Sequence, residues 1–243
     1  MPRKKVWLFI VEGESDKTAF GLLLETLVKD DTVAFDVFHA DIFGARAHRA
    51  GSDPIMRLRD ADSRIRKEVA DHLTRSVYDW GDLERVILIA DTDGSFIPDE
   101  AVHENPNLEC IQYYEDHIVV PNARGAMARN GERSANLRRV VGKGTITYNK
   151  RKIPVQVFFM SRNLEHALHN VAGHVTDRRK AYLANEFRSK FRNDIEGFVE
   201  FMTNTVAVPG DYHGTWKYIS EGTHSLERGS NLHILLNETR RLS

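Results

Sequence analysis

The sequence predicts an α/β fold, an open and mainly parallel sheet flanked by helices, from three observations. First, Val6-Trp7-Leu8-Phe9-Ile10-Val11 and Val86-Ile87-Leu88-Ile89-Ala90 are unbroken apolar runs without polar alternation. Runs this short and rich in β-branched residues suit strands buried on both faces, as in parallel sheets. Second, helical and strand patterns alternate between the two runs, giving the βαβαβ rhythm of such a sheet. Third, each run ends on acids, Glu12 after the first and Asp91 and Asp93 after the second. Ligand sites of parallel sheets lie beyond the carboxyl ends of the strands.

In chain order, Gly13-Glu14-Ser15-Asp16 reads as a turn, with Ser15 or Asp16 as helix cap. Phe20, Leu23, Leu24, Leu27 and Val28 then recur at helical spacing. Residues 33–38 form a strand leading to His39, Asp41 and a flexible loop over 43–52. Pro54 opens a helix to about residue 78, with Ile55, Leu58, Ile65, Val69 and Leu73 on one side. The run from Val86 is the third strand, and residues 108–114 give another. Gly125, Gly131, Gly142 and Gly144 loosen the next segment, which reads as a basic insertion over about 122–153 containing a small hairpin at 145–155. Residues 155–160 form a strong strand ending at Ser161-Arg162-Asn163-Leu164-Glu165. Beyond it the pattern is helical. Phe187, Phe191, Ile195, Phe198, Val199 and Met202 supply apolar faces, Pro209-Gly210 breaks the pattern, and a short helix covers 232–236. The division is an α/β domain over 1–170 and a mostly helical segment over 171–243.

Composition narrows the function classes. An apolar content of 41% and a charged content of 28% are ordinary for a globular protein of 243 residues. Cys110 is the only cysteine, which excludes an intramolecular disulfide or a cysteine metal cluster and favours a reducing compartment. The first apolar run is too short for a signal peptide and no later run reaches membrane-spanning length, so the expectation is a cytoplasmic protein with no membrane partner. A net charge of −1 gives no global pull toward nucleic acid, but its distribution is uneven. Acids crowd residues 81–121 against the single base Arg85. Arg124, Arg129, Arg133, Arg138, Arg139, Lys143, Lys150, Arg151 and Lys152 follow, against Glu132 alone. Such a segment is either a solvated surface or a binder of nucleic-acid phosphates.

The acids are the centre of the chemistry. Asp91-x-Asp93-Gly94 can be an Asp-rich turn, or a pair of carboxylates turning toward one hard cation. Glu12 with Asp16, Asp91 with Asp93, and Ser161 with Glu165 all follow predicted strands, so one sheet edge gathers them. Five carboxylates exceed what one Mg²⁺ takes and suit two ions of the kind used in phosphoryl transfer. His166 and His169 lack the i, i+4 spacing of a zinc helix, so surface or capping roles fit them better. Tyr113 and Tyr114 read as a half-buried strand pair rather than as nucleophiles.

Glu12-Gly13-Glu14-Ser15-Asp16-Lys17 resembles the first motif of Toprim domains, and Ile89-Ala90-Asp91-Thr92-Asp93 resembles their Asp-x-Asp motif, in the family's order, over roughly residues 5–95. Ser161 to Glu165 is more loosely similar to the later Ser/Glu element of the overcoming-lysogenization-defect nucleases, whose spacing is Ser-x-Glu. The resemblance implies a Toprim-like sheet and a nuclease dependent on Mg²⁺ or Mn²⁺ that cleaves DNA or RNA. It implies Glu12 as metal ligand or general acid/base, Asp16 as supporting ligand, and Asp91 and Asp93 as metal ligands, Asp91 bridging. Glu165 and Ser161 would complete a second metal site, and a later lysine would stabilise charge; Lys217 is taken for it, although Lys180 and Lys190 fit no worse. No Walker A motif is present, so an ATPase would be a separate partner protein, as in anti-phage systems; a homo-oligomer is compatible. Rival readings are an RNA-maturation or nucleotidyl-transfer enzyme on this scaffold, or a non-catalytic partner subunit. Asp91-Thr92-Asp93-Gly94-Ser95 also resembles the start of haloacid-dehalogenase-like phosphatases, but in those the motif strand usually comes first and a paired acidic motif follows.

Overall fold

The computed structural model describes residues 5–27, 33–43 and 61–240. The first half contains β1 (Lys5–Val11), α1 (Glu14–Leu27), β2 (Val33–His39), α2 (Ala61–Leu73) and β3 (Leu83–Asp91). Three short strands follow: β4 (Val102–Glu104), β5 (Gln112–Tyr113) and β6 (Ile118–Val120). Then come α3 (Ala123–Lys143), β7 (Thr145–Tyr148) and β8 (Arg151–Met160). The remainder is helical: α4 (Leu164–His169), α5 (Asp177–Phe191), α6 (Ile195–Asn204), α7 (Tyr212–Ile219) and α8 (Leu232–Arg240).

The main sheet has the order β2-β1-β3-β8-β7, parallel except for the β7–β8 hairpin at one edge. The chain leaves β1 toward β2 and then returns to place β3 on the other side of β1. The strand order therefore reverses between β1 and β3, which is where open α/β sheets hold their ligands. Alternate residues of the buried strands feed two cores. Trp7, Phe9 and Val11 face α1, α5, α6 and α8, while Val6, Leu8 and Ile10 face α2, α3 and α7. Each large apolar side chain buried this way stabilises the fold by roughly 1.5–3 kcal/mol. Helices α5, α6 and α8, all beyond residue 171, thus share one core with β1, β3 and β8, while α7 packs into the other.

Several expectations are met. The strand at 33–38, the hairpin at 145–155 and the strand ending at Met160 are all present. Pro209-Gly210 breaks the chain, Gly210 having a φ of 127°. The expected helix to about residue 78 ends at Leu73, and its start, with Ile55 and Leu58, lies outside the described residues, as do Val28 and most of the 43–52 loop.

Two expectations are corrected. The strand over 108–114 shrinks to Gln112–Tyr113, which belongs to a separate three-stranded sheet of order β4-β6-β5. The supposed basic insertion begins with a 21-residue helix, α3, that packs Leu137 and Val140 into the core below the sheet. The Asn122 side chain caps its start by accepting from the Gly125 N–H at 2.8 Å, and Gly144, at a φ of 61°, ends it. Among the described residues, no helix is long and apolar enough to cross a membrane.

Candidate metal centre

The carboxyl ends of β1 and β3 open into a cavity of about 640 Å³. Glu12, Asp16, Asp91, Asp93 and Glu165 all line it, joined by Asp41, Arg133 and Lys180. Each acid is placed by local structure. Glu12 is the first residue past β1, and its Oε2 accepts the Asp91 N–H at 3.3 Å, tying the two strand ends together. Asp16 occupies the first turn of α1, where its Oδ2 accepts the Gly13 N–H at 2.9 Å, half of a capping box. Asp93 and Gly94 leave β3 in left-handed conformation, with φ of 49° and 74°, so the chain turns back over the strand end. Glu165 is buried in the first turn of α4, a helix capped by the Asn163 side chain.

This turn is fastened to β8. The Thr92 N–H donates to Met160 O at 3.0 Å and the Asp93 N–H to Arg162 O at 2.8 Å. The Thr92 hydroxyl accepts from the Arg162 N–H at 2.8 Å and donates to Ser225 O at 3.2 Å. The end of β8 is itself held by Ser161 N–H donating to Gly229 O at 2.8 Å.

Crowding sets the electrostatics. Burial, opposed by Arg133 and reinforced by Asp93, pushes Glu12 up to about 7. Burial and the Glu12 charge push Asp16 up to about 7 against the Gly13 hydrogen bond. Burial, then the charges of Asp16, Asp93 and Glu12, hold Asp91 well above the usual carboxylate range. The compensating charge inside the cavity is Arg133, from the middle of α3. Its Nη2 lies 2.7 Å from both Glu12 oxygens and 3.7 Å from Asp93 Oδ2, while its Nε donates to Asp91 O at 3.1 Å. Burial works against the Arg133 charge, but the neighbouring carboxylates outweigh it and raise its pKa.

The structure brings together five of the six expected metal ligands. Ser161 is not among the lining residues; its hydroxyl is buried and unpartnered among the described residues. Lys217 is exposed on α7 and does not line the cavity, whereas Lys180 of α5 does, so the preference between these lysines is reversed. Arg133 is 4% exposed and engaged with the acids, so it cannot belong to an outward phosphate-binding surface. The other bases are dispersed. Lys143 pairs with Asp62, Arg138 lies over the Phe96 ring at 4.9 Å, and Arg151 donates to the carbonyls of Trp80, Gly81 and Leu83. Arg124, Arg139, Lys150 and Lys152 are exposed, and Arg129 donates to Asn130 Oδ1 at 3.2 Å. Burial and the Asp93 charge raise the Tyr113 phenol, which therefore stays protonated and makes a poor nucleophile.

The donor set is entirely oxygen, which suits a hard divalent cation rather than zinc. Among the described residues no three of these side chains converge closely enough to share an ion as placed. The fold and this cavity define an α/β protein with an acid-lined crevice at the switch point of a parallel sheet. Comparison with family models, curated proteins and solved structures finds no match to the chain.

Proposed function

We propose that the chain is a Toprim-type nuclease, dependent on Mg²⁺ or Mn²⁺, that cleaves DNA or RNA phosphodiesters. One observation carries this reading: acids following three separate strands, β1, β3 and β8, line a single cavity at the switch point. Carboxylates crowded enough to raise one another's pKa are the arrangement a divalent cation relieves. Glu12, Asp16, Asp91, Asp93 and Glu165 would hold the metal. When bound, a divalent ion supplies Lewis acidity toward a phosphoryl oxygen and a more acidic water. Glu12, with a pKa near 7 and an arginine gripping both oxygens, can hold or release a proton at neutral pH. Arg133 and Lys180 place fixed positive charge in the same cavity, where charge grows on a scissile phosphate.

The test is cleavage of labelled plasmid, single-stranded DNA and tRNA by purified protein with and without Mn²⁺. Cleavage is expected only with metal and is lost in Asp91→Ala. Lys180→Ala is expected to lower the rate by roughly 10²–10³-fold, the usual loss for one charge-stabilising donor, while Lys217→Ala leaves it unchanged. Absence of cleavage of all three substrates, or full activity in Asp91→Ala, overturns the reading and favours a non-catalytic subunit.

A further inference from the structure

A second cavity, of about 610 Å³, lies beside the first, lined among others by Tyr113, Tyr114, Arg162, His166 and Arg228. α4 serves both, bringing Glu165 to the acidic cavity and the next residue, His166, to this one. Two guanidiniums are fixed here by main-chain carbonyls. Arg162 donates from Nε to Leu226 O at 2.6 Å and from Nη2 to Tyr114 O at 2.8 Å. Arg228 donates from Nε to Ala167 O at 3.0 Å and from Nη2 to Leu168 O at 3.3 Å. Neither lies within ion-pair distance of a carboxylate among the described residues. In each, Nη1 has no protein partner among those residues.

This is the opposite of Arg133, which is surrounded by acids. Burial lowers the pKa of both Arg162 and Arg228; at Arg162 the Tyr113 and Glu115 charges oppose the shift without cancelling it. Glu115 and Glu227 also line the cavity, but both are exposed, and Glu227 accepts the Tyr218 hydroxyl. Their charge is therefore screened by solvent, while Arg162 is 4% exposed. The buried His166 Nδ1 has no hydrogen-bond partner among the described residues.

Aromatic rings line the same cavity, and the Arg162 guanidinium lies over the Tyr113 ring, 5.8 Å from its centroid. Tyr114 is 44% exposed and stacks on His117 at 4.4 Å with the rings 4° from parallel. His117 stacks in turn on His103 at 4.7 Å. An exposed ring ordered by a stack beneath it is a ready surface for a base, and a fixed guanidinium suits phosphate oxygens. Arg162 is also joined directly to the acidic turn through Thr92 and Asp93.

We infer that this cavity is a subsite for one nucleotide of a single-stranded nucleic acid, with its phosphate on Arg162 and Arg228 and its base on Tyr114. The inference rests on the nucleic-acid substrate proposed above, but it concerns binding and not cleavage. A base held in a duplex cannot stack on a side chain, so the subsite selects unpaired strands.

The test is anisotropy of a labelled single-stranded oligonucleotide and of its duplex, with the full chain in EDTA so that no cleavage occurs. The single strand is expected to bind more tightly. Tyr114→Ala is expected to weaken it by roughly 5–150-fold, the range for loss of one base–aromatic stack, and Tyr114→Phe to leave it unchanged. Arg228→Gln is expected to flatten the slope of log K against log salt by about 0.7, one phosphate contact on a single strand. A 5′-mononucleotide is expected to compete better than inorganic phosphate. Equal competition by the two, duplex binding as tight as single-strand binding, or a Tyr114→Ala protein that binds as the wild type does would overturn the inference. Tyr114 is exposed, so that variant tests the subsite even where Arg228→Gln disturbs α4. Tyr114-dependent binding without any cleavage would leave this inference standing and sink only the nuclease reading. Metal-dependent cleavage together with oligonucleotide binding that is indifferent to Tyr114→Ala would sink only this inference.

Discussion

Asp91 sits where folding and the proposed metal binding would make opposite demands. Its carboxyl is buried among Asp16, Asp93 and Glu12, and without a cation Arg133 is the main charge set against three acids. Asp91→Asn keeps the shape and removes the charge. In metal-free buffer at pH 8 it is expected to stabilise the protein by roughly 0.5–2 kcal/mol, the usual gain when a functional site is relaxed. Thermal unfolding checks this; a variant no more stable than wild type would show that the cavity stores no repulsion. Arg133 shows what sequence reading misses at this scale. It was one base among nine, and only the spacing of Ala126, Asn130, Arg133, Ser134, Leu137 and Val140 marks it as lying on a buried helical stripe. That stripe is half polar, so hydrophobic periodicity alone passes over it. The acids were easier to read, because an apolar run ending on a carboxylate is visible without knowing the fold.

Among the elements, α3 and the β7–β8 hairpin show how glycine misleads in both directions. Gly125, Gly131 and Gly142 lie within α3, where each costs on the order of 1 kcal/mol relative to alanine. Their presence made the segment read as loose, although Asn122 and Gly144 are recognisable caps. The hairpin lacks the glycine its turn favours. Asn149 and Lys150 both adopt positive φ, 46° and 66°, in a two-residue connection of type I′ character. Lys150→Gly is expected to stabilise the fold by roughly 0.5–1 kcal/mol by removing the cost of a left-handed lysine. A higher urea midpoint with an unchanged slope is the expected result; no shift would mean that the turn bears little strain. β1, β3 and β8 were legible because strands buried on both faces need continuous apolar runs. The small β4-β6-β5 sheet was not, since strands of two or three residues leave too few positions for a pattern.

For the molecule as a whole, the acidic cavity couples stability to pH and, on the proposed reading, to divalent ions. Glu12 and Asp16 ordinarily titrate at 4.5 and 3.8, and folding raises both to about 7. A raised carboxyl binds its proton more tightly in the folded state. Its stabilising contribution is therefore complete below the unfolded pKa and is lost as pH climbs through the folded value. In metal-free buffer these groups weaken the fold between about pH 4 and pH 7. A cation favours the charged forms and opposes that loss. Saturating Mn²⁺ is thus expected to raise the melting temperature more at pH 8 than at pH 5, and less in Asp91→Asn than in wild type. An equal rise at both pH values would remove the cavity as the binding site. The reversal of strand order that places this cavity follows from two crossovers, which the alternation of strand and helix patterns already implied. The second cavity was hidden, because Arg162 and Arg228 are far apart in sequence and meet only where the end of β8 is bonded to residues 226–230, through Arg162 to Leu226 O and Ser161 N–H to Gly229 O.

The Thr92 hydroxyl, bonded to both the Arg162 N–H and Ser225 O, also bears on biosynthesis. All seven acids that line the cavity, Glu14 and Asp41 included, have been made once the ribosome has passed Glu165. Lys180, the Ser225 carbonyl and the Gly229 carbonyl that secures Ser161 come later. A nascent chain therefore carries its full set of carboxylates, with Arg133 among them, before it owns Lys180 or the Ser225 carbonyl, and the acidic turn gains that last strut only once residue 225 has been added.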